Sequence, residues 1–181
     1  MAGQRLTDKT ASDFIGTGDL MMVVDVSDTS SSSSGTSKKM DMKYVMQTDK
    51  ISVSNGELLT MDDGGGTDEF KTLISAPGAG FMIIPFSITI LTTYAASQDT
   101  SAKTMYAGYV NDQTTRYWAT FSRIMYNTST NQTYQQSGDM AGSGVSTVSI
   151  EDTGFYLWSG GNFNGGWSAD VYITYNIAKL F

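Results

Sequence analysis

From Phe70 onward the chain is a succession of short apolar runs separated by polar or glycine-containing breaks. The runs are Phe70–Ser75, Gly80–Thr93, Thr104–Val110, Arg116–Tyr126, Val145–Ile150, Gly154–Trp158 and Ala169–Ala178. None repeats its apolar residues at the three-to-four spacing of a helix, and the last one alternates cleanly. Val171, Ile173, Tyr175 and Ile177 share one parity, while Tyr172, Thr174 and Asn176 share the other. That strand has a core face and a wetter face. Runs of this kind at regular spacing predict an all-β fold, an antiparallel β-sandwich of jelly-roll type.

The parities predict a core of Phe81, Ile83, Ile88, Ile90, Tyr106, Trp118, Phe121, Phe155, Leu157, Val171, Ile173 and Ile177. Pro85 falls inside a strand-like run. A proline donates no ladder hydrogen bond, so it marks a bulge or a sheet edge.

The first third of the chain has a different character. Residues 1–18 are polar, with Phe14 and Ile15 as their apolar anchors, and suit an arm that orders on a partner. Leu20–Val26 is a dense apolar strand. The segment Ser27–Ser37, with consecutive serines from Ser30 to Ser34, buries nothing and suits a hairpin tip. Lys38–Val45 alternates charge with Met and Tyr and returns as the second strand. Further on, Lys50–Val53 and Glu57–Met61 flank Ser54-Asn55-Gly56, and an Asn-Gly between apolar runs predicts a second hairpin. The break Asp62–Thr67 then divides the chain into an N-terminal arm and β-hairpin attachment region, 1–67, and a β-sandwich domain, 68–181.

Charge follows the same division. Residues 1–70 hold six Lys/Arg against twelve Asp/Glu, and residues 71–181 hold five against six, for net charges of −6 and −1. A chain of net charge −7 lacks the basic surface that neutralises phosphates, so direct nucleic-acid binding is not expected. The weakly charged C-terminal part suits extended contacts with protein or glycan. The longest apolar run, Phe81–Leu91, is interrupted by Pro85, Ser87 and Thr89 and is far shorter than the roughly 20 residues of a membrane-spanning helix. No membrane association is expected. Met1–Thr10 carries Arg5 and Lys9 with no apolar stretch behind them, which is not the pattern of a secretory signal.

The chemistry available is narrow. The chain contains no cysteine and no histidine, which removes imidazole- and thiolate-based triads and most catalytic zinc sites. Glu151-Asp152 could supply a glycosidase carboxylate pair, but its place at a strand end suits an acidic turn. Asp62-Asp63-Gly64-Gly65-Gly66-Thr67-Asp68-Glu69 is rich in oxygen, yet its spacing fails the calcium-loop template. Ala76-Pro77-Gly78-Ala79-Gly80 lacks the Lys-Ser/Thr of a phosphate loop and suits a tight turn. No catalytic residue, metal or cofactor is expected. Asn127-Thr128-Ser129 and Asn131-Gln132-Thr133 match the glycosylation pattern and are taken as polar loop. In the loop Gly160–Trp167, Phe163 and Trp167 could meet a sugar ring or pack on a neighbouring subunit.

Gly18-Asp19-Leu20-Met21-Met22-Val23-Val24-Asp25-Val26-Ser27-Asp28, followed by a Ser/Gly loop and Thr36-Ser37-Lys38-Lys39-Met40, resembles an N-terminal module of accessory virion proteins of tailed bacteriophages. The opening Ser75-Ala76-Pro77-Gly78-Ala79-Gly80 and the closing Asp170-Val171-Tyr172-Ile173-Thr174-Tyr175 look like the same class. The resemblance implies a non-enzymatic virion protein, assembled in the host cytoplasm and commonly a homotrimer. Its first form is a head decoration (cement) protein that binds the major capsid protein, with Phe14, Ile15, Leu20, Met22 and Val24 as the gripping residues. Its second form is a tail-fibre or receptor-binding protein, with Phe163 and Trp167 contacting a host surface glycan.

Overall fold

The computed structural model describes residues 20–41, 45–62, 70–109, 118–137 and 150–180. The chain divides into two compact units, residues 1–45 and residues 46–181.

The first unit contains a hairpin of β1 (Leu20–Asp25) and β2 (Thr36–Asp41), paired antiparallel from Leu20 opposite Asp41 to Asp25 opposite Thr36. The serine-rich segment forms its tip, as the composition predicts. Gly35 sits there at φ +109, and a Cβ at that position would lie 2.8 Å from the Asp25 carbonyl oxygen, so the turn requires glycine.

The second unit is an antiparallel sandwich. Its elements are β3 (Gln47–Val53), α1 (Asn55–Thr60), β4 (Lys71–Ile74), β5 (Phe81–Tyr94), β6 (Met105–Gly108), β7 (Ala119–Phe121), β8 (Gln132–Ser137), β9 (Phe155–Ser159) and β10 (Trp167–Lys179). The strands form two four-stranded sheets, ordered β3-β10-β5-β8 and β4-β9-β6-β7. Every connection except β6 to β7 crosses from one sheet to the other. First and last strands are neighbours in one sheet, and that connectivity is the jelly roll.

Alternation explains the core. On β10, Ala169, Val171, Ile173 and Tyr175 point inward and are buried. They meet Ile83, Ile88 and Ile90 of β5 within the sheet, and Met105, Ala107, Phe155 and Leu157 from the facing sheet complete the cluster. The Tyr109 hydroxyl donates to the Ile83 carbonyl over 2.6 Å, and its ring meets Phe155 edge-on, with centroids 5.2 Å apart. Burial pushes that phenol up to about 12. Phe81, Tyr106 and Ile177 are only partly buried, and the other residues of the predicted core are buried. The β5–β10 register shifts between Thr174 and Tyr175, so that Ser87 faces Thr174 and Pro85 faces Tyr175. Phe86 is the extra residue of the bulge that Pro85 predicts.

Four expectations are corrected. Ser54-Asn55-Gly56 opens a helix rather than a hairpin. The Ser54 hydroxyl accepts from the Glu57 amide, and the Glu57 carboxylate accepts from the Ser54 amide. This capping box satisfies the first amides of α1 and outweighs the Asn-Gly turn preference. Residues 47–61 belong with the sandwich rather than with the arm, because β3 pairs with β10 along its length and Leu58 and Met61 are buried in the core. The division into compact units falls between Val45 and Met46. Asn131-Gln132-Thr133 runs into strand β8 instead of remaining loop. Of Arg116–Tyr126, only Ala119–Phe121 is strand in the described part, and positive φ at Arg123, Met125 and Asn127 turns the chain beyond it. The predicted strand Val145–Ile150 lies outside the described residues except for Ile150, which is in no strand.

Candidate functional site

Among the described residues, the most exposed large apolar side chains, Met22 and Val26, are on the hairpin. Alternation along β1 places Met22 and Val24 on one face, opposite Lys39 and Ser37 of β2. Met22 is 80% exposed and Val24 58%, and Val26, which continues the same parity, is 75% exposed. The sequence predicts Met22 and Val24 as gripping residues, within the run Leu20–Val26 that Val26 closes. Leu20 begins β1 opposite Asp41. Phe14 and Ile15 lie outside the described residues.

The opposite face of the hairpin holds its tip in place. Lys38 Nζ reaches Asp25 Oδ2 at 2.8 Å and Asp28 Oδ2 at 2.9 Å. The Ser27 amide and hydroxyl donate to Asp25 Oδ1, and the Ser30 amide donates to Asp28 Oδ1. The Thr36 hydroxyl closes the loop onto the Asp28 carbonyl over 2.7 Å. The Lys38 ammonium lowers the Asp25 carboxyl, with the Ser27 donors adding to it. At Asp28 the Ser30 hydroxyl leads and Lys38 follows. The carboxylates in turn raise Lys38. One face is thus a charge-assisted clasp, while the other presents an apolar row that nothing in the clasp uses.

The loop Gly160–Trp167 does not form an exposed aromatic site. Phe163 is 3% exposed and Trp167 1%, and both belong to the core cluster. Trp167 meets Tyr94 edge-on, with ring centroids 5.1 Å apart. The loop is fastened from several sides. The Asn164 amide donates to Asp99 Oδ2 and the Thr100 amide to Asn164 Oδ1, each over 2.8 Å. Asn55 Nδ2 donates to the Gly165 carbonyl, and the Phe163 amide to the Leu58 carbonyl. The glycines permit this approach: a Cβ on Gly165 would lie 2.7 Å from the Asp99 amide nitrogen. Phe163 and Trp167 therefore serve the domain's own interior, and a glycan has no access to their faces.

Glu151 and Asp152 form an acidic turn. Asp152 Oδ1 accepts from the Gly78 amide over 2.8 Å and Glu151 Oε1 from the Gly80 amide over 2.7 Å. The pair is occupied in fastening the Ala76–Gly80 turn.

The outward face of the β3-β10-β5-β8 sheet is polar and largely self-satisfied. Lys50 Nζ lies 2.9 Å from Asp170 Oδ2, Ser52 Oγ donates to Asp170 Oδ1, and Thr48 and Thr174 share a hydrogen bond. Lys50 holds the Asp170 carboxyl below its ordinary range, helped by Ser52. Among the described residues no three His, Cys, Asp or Glu side chains come together as a ligand set for a metal.

No protein-family model and no curated protein matches this sequence. Among solved structures, the chain is similar to a chain of the cyanophage Pam1 capsid asymmetric unit, with 15% identity, a TM-score of 0.40 and 96% of each chain covered. A likeness of that degree carries no argument about function.

Proposed function

We propose that the protein is a non-enzymatic structural component of a phage virion, a head decoration protein that attaches to the capsid lattice through the exposed apolar row of its hairpin. The observation that carries this reading is the row itself: Met22, Val24 and Val26 stand exposed along the described β1–β2 hairpin. A lone two-stranded hairpin is marginal in water and gains stability by laying such a face on another surface. The sequence resemblance to accessory virion proteins supplies the class of partner, the major capsid protein. The jelly roll is compatible with it, being a fold of viral capsid and lectin domains, although a fold by itself does not assign a role. The lack of histidine and cysteine throughout the chain supports a structural rather than a catalytic task.

The mechanism is repeated burial. Fully covering a Met or Val side chain contributes about 1.5–3 kcal/mol, so a row of such side chains supplies several kcal/mol per copy before ordering costs. Repeated over a shell, contacts of that size resist expansion without any single strong bond.

Cryo-electron microscopy of the source particle tests the reading. Density for this chain between capsomers, at many icosahedral positions and with the hairpin against the shell, is the expected result. Density confined to the tail, or absent from the particle, overturns it. Met22→Glu/Val24→Glu is expected to abolish co-sedimentation with shells that lack the protein.

A further inference from the structure

Among the described residues, three of the four sheet edges in the sandwich are guarded against pairing with another chain. β7 has three residues, and its Thr120 amide already donates to Gln136 Oε1 over 2.8 Å. β4 has four, with Lys71 on it in an ion pair with Glu57. β3 carries Lys50 and turns Asp49 inward, where Oδ2 accepts from the Tyr175 hydroxyl over 2.8 Å. Short strands, edge lysines and inward charges are the devices that keep sheet edges from joining.

β8 has none of these devices. Gln132–Ser137 contains no charge, proline or glycine, and it pairs with β5 without a register shift. Among the described residues, no backbone group of β8 bonds to any strand other than β5. From Ile124 to Gly138 the sequence holds no Asp, Glu, Lys or Arg. In a chain of net charge −7, this is the edge where a second copy meets no like charge.

We propose that β8 is a self-association edge: two copies pair β8 with β8 antiparallel about a two-fold axis normal to the sheet. Their four-stranded sheets become one continuous sheet. Pairing of a strand with its own copy is isologous and closes as a dimer, in place of the trimer that the sequence resemblance implies. The outward side chains Thr133 and Gln135 of one copy then stand beside those of the other, a neutral polar seam. If the hairpin attaches to a shell as proposed above, each dimer presents two hairpins, and the second attachment becomes intramolecular. The dimer itself does not depend on that function.

The test is the molar mass of the full chain by light scattering at tens of micromolar. A mass of twice 19.5 kDa is expected. Thr133→Lys/Gln135→Lys sets lysines against lysines across the seam and is expected to weaken the dimer at least tenfold. Thr72→Lys, on β4, is expected to leave it intact. A single-chain or triple-chain mass for the wild type overturns the proposal, and so does a dimer that survives the double substitution with an unchanged melting curve. Should the double variant not fold, amide exchange of the wild type decides: β8 amides gain protection with concentration if the edge pairs, and show no concentration dependence if it does not.

Discussion

The backbone amide of Asn164 donates to Oδ2 of Asp99 over 2.8 Å, and that bond joins the Gly160–Trp167 loop to the segment following β5. The other oxygen of Asp99 accepts from the amide and hydroxyl of Ser101. Asp99 is fully buried, and its partners are all neutral donors. Hydrogen bonds to a charged group contribute about 1.5–3 kcal/mol, and buried donors left unpaired cost a comparable amount. Asp99→Ala is therefore expected to lower the unfolding free energy by about 3 kcal/mol in urea titration. A change below about 1 kcal/mol would show that the loop is held by its apolar residues alone.

Phe163 and Trp167 lead to a second expectation, opposite to that of a sugar-binding loop. Both are core side chains, so Trp167→Ala and Phe163→Ala should each cost about 3–5 kcal/mol through lost burial and the cavity left behind. A variant that melts like the wild type yet loses glycan binding on an array would restore the sugar reading.

Much of the sandwich was legible because alternation is a direct consequence of the pleat. Ile88, Ile90, Val171 and Ile173 share the buried side for that reason, and the extra residue at Phe86 brings Ile83 onto the same side. The failures have physical causes too. In α1 a reciprocal pair of side chain to backbone bonds, visible as Ser54-x-x-Glu57, competed with an Asn-Gly turn and won. β8 was hidden because its inward positions are Tyr134 and Gln136, which bond to the Met125 and Thr120 amides instead of supplying aliphatic bulk. Trp158 has the outward parity of β9 and is nevertheless fully buried, stacked on Tyr106 with centroids 6.0 Å apart. At the candidate site, the exposed parity of Met22 and Val24 was legible, since one face of a hairpin must go unfilled. The burial of Phe163 and Trp167 was not, because it depends on partners such as Asp99, some 65 residues away in the chain for the Asn164 contact.

Acid should weaken the start of α1 in a defined range. The Lys71 ammonium, 2.5 Å from Glu57 Oε1, holds the Glu57 carboxyl down at about 2, with the Ser54 amide adding to it, against an ordinary value of 4.5. A lowered carboxyl stabilises the fold fully above pH 4.5, and the contribution disappears as pH falls through about 2. Both side chains are partly exposed, so the effect amounts to about 1 kcal/mol or less. Glu57→Gln keeps the capping box and removes the charge. Wild type and variant should differ in unfolding free energy at pH 7 and converge near pH 2. Parallel curves across that range would mean that the ion pair contributes nothing.

Gly35 offers a way to disturb the hairpin face without touching an apolar residue. At φ +109 any L side chain is strained, and a Cβ would also meet the Asp25 carbonyl oxygen at 2.8 Å and the Val24 side chain at 2.9 Å. The left-handed penalty alone is about 1–2 kcal/mol, comparable to the whole stability of an isolated two-stranded hairpin. In Gly35→Ala the tip should therefore open or shift, and a one-residue slip in register would exchange the two faces, moving Met22 and Val24 to the side where Lys38 and Asp25 now sit. Binding to shells is expected to fall about tenfold or more, which corresponds to about 1.4 kcal/mol, while the melting of the sandwich stays at its wild-type value. Co-sedimentation and calorimetry read the two quantities separately. Unchanged binding would mean that the paired geometry of β1 and β2 is not what the shell recognises, and attachment would then have to be sought outside the hairpin.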